Sequence, residues 1–176
     1  YGRVTSSDEL GLSTNIDLGG KVYFNSGDYT LGTHQIIVGE KNGSGLIVVD
    51  GDLNVNGNIT YGSGAALTED RQLPSLGVLV TGNMTIDANV SELHGTFYVL
   101  GTVTVKTSGT ALLDQQLLVY GAMVAHEFEF QRQFLGTLDQ PEAAEVIQYD
   151  GRLTANPPPG FQDLSKALPD LKAVTP

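Results

Sequence analysis

The sequence predicts an all-β chain wound as a single-stranded β-solenoid (a parallel β-helix), with rungs of about 20 residues, surface insertions and an extended C-terminal tail. Three observations predict this fold. Glycine supplies 22 of the 176 residues, and charged residues make up only 16%, against an ordinary share of about 25%. An octet recurs along the chain. After its glycine, apolar and polar residues alternate with the period of a β-strand.

The octet contains two apolar residues, one variable residue and a glycine, followed by variable, apolar, variable and apolar residues. Its copies are residues 48–55, 79–86, 98–105 and 118–125, with a weaker copy at 17–24. The octet glycines are Gly20, Gly51, Gly82, Gly101 and Gly121, separated by 31, 31, 19 and 20 residues. A glycine between two short strands that each bury one face predicts a sharp corner. Stacked units of this kind enclose a continuous core.

The two spacings of 31 residues indicate a rung plus a surface insertion, and residues 61–74 have the composition of a loop. An antiparallel β-sandwich or jelly roll is the alternative fold, because it also has short strands and glycine-rich turns. The pairs Asn42-Gly43 and Asn56-Gly57 are typical of its two-residue hairpins. A sandwich has no reason to repeat one octet in the same phase, which favours the solenoid.

The octet pattern ends near His126. Phe128, Phe130 and Phe134 then alternate with polar residues over most of this stretch and predict a strand with an aromatic face. These three side chains are expected to plug the end of the core, because an uncapped solenoid end exposes apolar surface and unpaired backbone groups. An aromatic platform for sugar rings is the alternative interpretation.

Residues 1–155 are assigned to the solenoid domain and residues 156–176 to a Pro-rich extended tail. Proline lacks the N–H that a strand ladder needs, so this tail is expected to run as polyproline II. It lies either as a strap along its own solenoid or as an arm on a neighbouring subunit. The candidate docking residues are Pro157, Pro158, Pro159, Phe161, Leu164, Leu168 and Leu171.

Composition excludes several functions. A net charge of −11 argues against a nucleic-acid binder, which needs positive charge to displace phosphate counterions. No apolar run is long enough to cross a membrane. The chain has no Cys, so disulfides and thiolate sites are excluded. Its histidines, His34, His94 and His126, are too far apart for a helical zinc pair. We expect no catalytic residue and no cofactor. A structural Ca²⁺ bound between acidic subunits is kept as an alternative, because its ligands are oxygen atoms.

Four Asn-x-Ser/Thr patterns are candidate glycosylation acceptors. They begin at Asn42, Asn58, Asn83 and Asn89. They indicate either a glycosylated surface protein or simply an outer face rich in Asn and Thr. The chain begins with Tyr1 rather than Met, which would fit a mature exported chain or a trimmed one.

Residues 48–59, with their Gly-Asp/Asn-apolar spacing, resemble rungs of polymer-forming β-solenoids such as the bactofilins, and of prokaryotic surface or pilus-associated proteins. The Pro-Pro-Gly-Phe run at 158–161 resembles the tail that follows the last rung in such proteins. The resemblance implies a structural polymer without cofactor or catalytic residues. The long insertions and the extended tail depart from the bactofilin pattern.

The leading hypothesis is therefore a structural protein of the cell surface that assembles with itself into an extracellular filament or layer through solenoid ends and terminal arms. The alternative is a carbohydrate-binding adhesin or a phage-fibre-like module that stacks sugars on Tyr23, Tyr29 and Tyr61. A polysaccharide lyase or hydrolase is a third hypothesis and would need paired carboxylates beside a basic residue in a groove.

Overall fold

The computed structural model describes residues 4–6, 14–62, 67–110, 114–133 and 143–161. The chain is all-β, and its strands curl into a half-barrel. Every strand pair in these ranges is parallel, and the strands belong to one 13-stranded sheet. A β-sandwich requires antiparallel pairing, so the alternative fold is wrong for this part of the chain.

The strands are short except for two of 14 residues. They are β1 Val4–Ser6, β2 Asn15–Ile16, β3 Val22–Ser26, β4 Tyr29–Leu31, β5 His34–Ile36, β6 Ser44–Asp50, β7 Leu53–Val55, β8 Ile59–Tyr61, β9 Ser75–Val80, β10 Met84–Ile86, β11 Glu92–Val105, β12 Leu117–Phe130 and β13 Glu145–Gln148. A 3-10 turn covers Asp70–Gln72, and the single-turn helix α1 covers Arg152–Ala155.

Three parallel ladders organise these strands. The first ladder runs β1–β3–β6–β9 and continues into residues 96–99 of β11 and 122–125 of β12. The second runs β4–β7–β10 and continues into residues 102–105 of β11 and 127–130 of β12. The third runs β2–β5–β8 and continues through Leu93 of β11 and residues 118–120 of β12 into β13. The chain visits the ladders in a constant order, so each pass through them stacks on the pass before it.

The core forms because alternate residues of each strand face the interior. In the second ladder Leu53, Met84 and Val103 occupy one row, in register and at most 1% exposed. The buried core residues of all three ladders are Ile16, Leu18, Tyr23, Leu31, Ile36, Ile47, Val49, Leu53, Val55, Ile59, Leu76, Val78, Val80, Met84, Ile86, Val90, Leu93, Phe97, Val99, Val103, Val105, Leu117 and Val119. Apolar burial over successive passes is therefore the main stabilising term.

One corner, between the first and second ladders, carries a stack of glycines. The N–H of Gly82 donates to the carbonyl of Gly51 at 2.9 Å, and the N–H of Gly101 donates to the carbonyl of Gly82 at 3.0 Å. A Cβ on any of these three would collide with backbone of the pass below. Only glycine allows the passes to approach so closely at this corner.

Two of the five octet glycines lie elsewhere, which corrects the sequence interpretation. Gly20 precedes β3 and donates its N–H to the carbonyl of Ser44, so its place in the corner stack is taken by Gly27. Gly121 lies inside β12, in register with Gly95 of β11. Both glycines have a positive φ and lie where the chain passes from the third ladder to the first, so the octet letters do not distinguish the two corners.

The residue after each corner glycine locks one pass to the next. The carboxylate of Asp28 accepts the backbone N–H of Asp52 at 2.9 Å, and the carboxylate of Asp52 accepts that of Asn83 at 2.7 Å. The amide oxygen of Asn83 accepts the N–H of Thr102 at 3.0 Å. These side-chain acceptors satisfy backbone donors that a corner would otherwise leave unpaired, which explains the Gly-Asp/Asn spacing.

Candidate functional site

The C-terminal half of β12 is an open edge. Residues 127–130 pair with β11 on one side, and no strand of the described ranges pairs with them on the other, because β13 reaches only residues 117–120. An unpaired parallel edge presents a row of free backbone N–H and C=O groups that can pair with another chain. We call residues 127–130 the open edge.

Two stacked phenylalanines lie on the open edge. Phe128 and Phe130 are in register with the fully buried Val103 and Val105 of the preceding pass. They nevertheless stay 37% and 50% exposed, and their rings lie 5.5 Å apart at an angle of 19°. The two rings therefore extend the core row at the end of the stack, and their role as an end plug stays a prediction. Phe134 lies outside the described residues.

A cluster of polar side chains around Arg132 lies just beyond the open edge. The guanidinium of Arg132 is buried and donates to three backbone carbonyls, those of Asp87 and Gln115 at 2.9 Å and that of Lys106 at 3.3 Å. These carbonyls come from three well-separated parts of the chain. One side chain thus ties the last pass to the two passes before it.

Asp114 completes this polar cluster. Its carboxylate accepts the N–H groups of Gln133 at 2.9 Å and Ser108 at 2.6 Å, and the hydroxyl of Thr107 at 2.7 Å. These donors hold the pKa of Asp114 well below its usual range, so the group is a carboxylate at neutral pH.

Burial is the largest influence on the pKa values of Arg132 and Glu145. Burial lowers the pKa of the Arg132 guanidinium, while the nearby carboxylates of Glu145 and Asp114 act in the opposite direction. Burial likewise raises the pKa of Glu145, against the effect of Arg132. One carboxylate oxygen of Glu145 is buried without a hydrogen-bond partner. The charges on Arg132 and its neighbours therefore stabilise one another in a partly desolvated environment.

Residues 156–161 dock on the chain's own outer surface, and we call them the strap. The Nδ2 of Asn156 donates to the carbonyls of Arg71 and Leu73, both at 2.8 Å. Phe161 is 5% exposed. A Cβ added at Gly77 would come within 3.0 Å of the Pro158 Cβ and 3.1 Å of the Phe161 ring, so the glycine provides the space for the strap.

The strap agrees with one of the two interpretations of the tail. Pro157, Pro158, Pro159 and Phe161 follow the chain's own surface, as the strap interpretation expects. Leu164, Leu168 and Leu171 lie outside the described residues.

An aromatic and charged cluster supports α1 above the sheet. The Arg152 guanidinium lies 4.9 Å from the centre of the Tyr61 ring, and the Tyr61 hydroxyl accepts the N–H of Leu76 at 2.9 Å. His94 packs between Tyr61 and Tyr120, with ring centres 4.9 and 4.8 Å away. Burial raises the pKa of Tyr61 above its usual value. The cluster fastens the segment before the strap by a cation–π contact.

The histidines do not converge. His34 is buried in the row of Ile59, His94 belongs to the aromatic cluster, with its Nε2 2.6 Å from Glu92, and His126 is exposed on β12. In the ranges that the structure describes, no group of three or more His, Asp or Glu side chains could hold a metal ion. No helix in those ranges is long and apolar enough to cross a membrane.

The candidate glycosylation acceptors all form hydrogen bonds within the chain. Asn42 and Asn58 are half-buried and accept the N–H groups of Ser44 and Ser91, both at 2.9 Å. Asn83 belongs to the corner ladder, and Asn89 donates to the carbonyl of Asn56 at 2.9 Å; both are exposed. Structural hydrogen bonding therefore accounts for these four asparagines.

The expected sugar platform is not formed by the three tyrosines. Tyr23 is 3% exposed and belongs to the core, and Tyr29 and Tyr61 are half-buried against it. A groove of about 300 Å³ does lie on the outer face of the second ladder. It is lined by Asp28, Tyr29, Thr30, Asp52, Leu53, Asn54, Thr85 and Lys106. The Lys106 ammonium lies 3.3 Å from Asp87, so the basic residue of this groove is already paired.

Sequence reasoning missed Gly27 and the polar cluster of Arg132 and Asp114. The second half of the octet is present at residues 27–31, so a search for that half alone would have found Gly27. No local signal marks Arg132, because its carbonyl partners lie 17 to 45 residues away in the chain.

A comparison of the chain with protein-family models, curated proteins and solved structures gives no match. The resemblance to bactofilins and pilus-associated proteins therefore gains no support from relatives. The class defined by the fold alone is an all-β protein with a curled parallel sheet.

Proposed function

We propose that the protein is a single-stranded β-solenoid that serves as a structural protein of the cell surface and assembles end to end into an extracellular filament or layer. The observation that carries this proposal is the open edge with its exposed pair, Phe128 and Phe130. The three ladders support the solenoid, since the chain passes through them in constant order.

Association at the open edge would satisfy two needs at once. The backbone groups of residues 127–130 would gain a paired strand, and the two phenyl rings would leave water. Burying a Phe side chain that is partly exposed contributes about 1–2 kcal/mol, and a specific interface of this kind buries about 1,200–2,000 Å² in total. The open edge supplies the centre of such an interface.

A second copy of the chain is the partner that fits this edge. The two ends of the stack differ, because the first ladder starts at the three-residue β1 and the last pass ends in the longer β12 and β13. An interface between unlike ends repeats without closing and generates a filament. The charge of −11 per chain opposes association at low ionic strength, so added salt should strengthen it.

The proposal also places the protein outside the cell. The cysteine-free composition and the acidic, Asn- and Thr-rich surface are compatible with this location. Immunogold labelling of intact cells tests it, and label found only after cell lysis would contradict it.

The Phe130→Ser variant is expected to weaken self-association by at least about tenfold in dissociation constant, because it removes half-exposed apolar surface from the centre of the interface. Phe24→Ser is the matched control, since Phe24 is 42% exposed but lies on the outer face of β3, away from the open edge. Sedimentation velocity over a concentration series and electron microscopy measure the effect. A wild-type chain that stays monomeric at high concentration and salt would contradict the proposal, as would equal loss in both variants.

A further inference from the structure

An apolar row crosses the outer face of the first ladder. Phe24, Val48, Leu79, Tyr98 and Val124 are in register on five successive strands, and we call them the outer row. Phe24 and Val124, at its two ends, are 42% and 49% exposed, and the three residues between them are half-buried. A contiguous apolar row on the outside of a strongly acidic chain indicates a surface that something covers.

The strap ends beside this row. Phe161 and Pro158 pack against the position of Gly77, next to Leu46. Each of these two strand residues lies two positions before a member of the outer row, Leu46 before Val48 and Gly77 before Leu79. Residues two apart on a strand face the same side and are separated by about 7 Å. Phe161 therefore lies at the margin of the outer row, and the chain continues from that point.

The chain after Phe161 has the composition and the reach to cover the row. Residues 162–176 carry Leu164, Leu168 and Leu171, which recur at intervals of four and three residues. The row spans five strands, or about 19 Å at the spacing of paired strands. An extended chain covers about 3.3 Å per residue, so a few residues cross the row and the whole segment exceeds it.

The charge of this segment does not oppose docking. Lys166 and Lys172 balance Asp163 and Asp170, so its side chains carry no net charge. The segment therefore meets the acidic remainder of the chain without net repulsion between side chains.

We propose that residues 162–176 of the same chain dock along the outer row and continue the strap across the first ladder. This inference goes beyond the proposed self-assembly, because it concerns the flank of the sheet and not its open edge. It assigns the flank to the chain's own tail, so the flank is closed to partner proteins and the ends of the stack are left for association.

The absence of native cysteine makes disulfide trapping a direct test. Three double variants pair Leu168→Cys with Val48→Cys, Leu79→Cys or Tyr98→Cys on the outer row. The control pairs Leu168→Cys with Thr85→Cys, which lies on the outer face of the second ladder. Dilute protein is oxidised, and mass spectrometry separates disulfides within a chain from those between chains.

We expect at least one outer-row pair to form the intrachain disulfide in most molecules, at a rate at least about tenfold above the Thr85 control. Equal rates in all four variants would overturn the proposal, because they would mean an undocked tail. Disulfides that form only between chains would also overturn it and would assign the row to a second copy. Adding Phe130→Ser to each variant weakens association at the open edge, and the intrachain result must survive that change.

Discussion

Replacing Gly121 with alanine is expected to lower the free energy of unfolding by about 3 kcal/mol or more. Gly121 has a φ of 145°, and its partner across the ladder, Gly95, has a φ of 143°. A Cβ at position 121 would overlap the carbonyl oxygen of Gly95. The backbone of β11 must therefore move, and β11 pairs with four other strands that hold it in place.

Gly151→Ala is the matched control for this substitution. Gly151 has a φ of −63°, and a Cβ there would meet no atom within 4 Å. We expect its effect to stay within about 0.5 kcal/mol. Urea denaturation followed by circular dichroism measures both variants. A Gly121→Ala variant as stable as Gly151→Ala would contradict the close approach of β11 and β12 at this position.

Arg132→Met is expected to destabilise the protein by about 2–3 kcal/mol, because a buried guanidinium loses its charge-assisted hydrogen bonds to three backbone carbonyls. The substitution keeps a side chain of similar length but leaves the carbonyls of Asp87, Lys106 and Gln115 without their donor.

Arg152→Met serves as the comparison for Arg132. Its side chain is 37% exposed and bonds to the carboxylate of Asp150 at 2.7 Å. We expect a loss of about 1 kcal/mol, since solvent partly screens the Arg152 guanidinium both in this ion pair and in its cation–π contact with Tyr61. The same urea titration separates the two variants. Equal effects would mean that Arg132 does not tie three passes together.

The corner glycines show what the sequence could predict about this fold. Gly51, Gly82 and Gly101 share a local signature, because a corner needs a glycine and the alternation on either side needs buried rows. Gly27 lacks a complete apolar pair before it, since the pair positions hold Phe24 and Asn25, and the octet pattern therefore did not include it. Letters alone could not tell which corner Gly121 serves, because it lies where β12 passes from the third ladder to the first, with a φ of 145°.

The candidate site depends on contacts between distant parts of the chain, and the sequence analysis predicted it less well. Alternation predicted a strand with Phe128 and Phe130 on one side. Whether those rings are covered depends on what crosses the end of the stack. The strap was also predicted only in part. Its Pro-rich composition indicated an extended segment but did not indicate where that segment packs. Only the missing side chain of Gly77, about 80 residues earlier, decides where Phe161 packs.

The central claim is that successive passes stack in parallel with the corner glycines one above another, and the amide contacts of those glycines test it most directly. In nuclear Overhauser spectra of the isotopically labelled protein, the amide of Gly82 should show cross-peaks to Gly51, and the amide of Gly101 should show cross-peaks to Gly82. Contacts across Asn42-Gly43 and Asn56-Gly57 in the antiparallel pattern of hairpins, with none between the corner glycines, would contradict it.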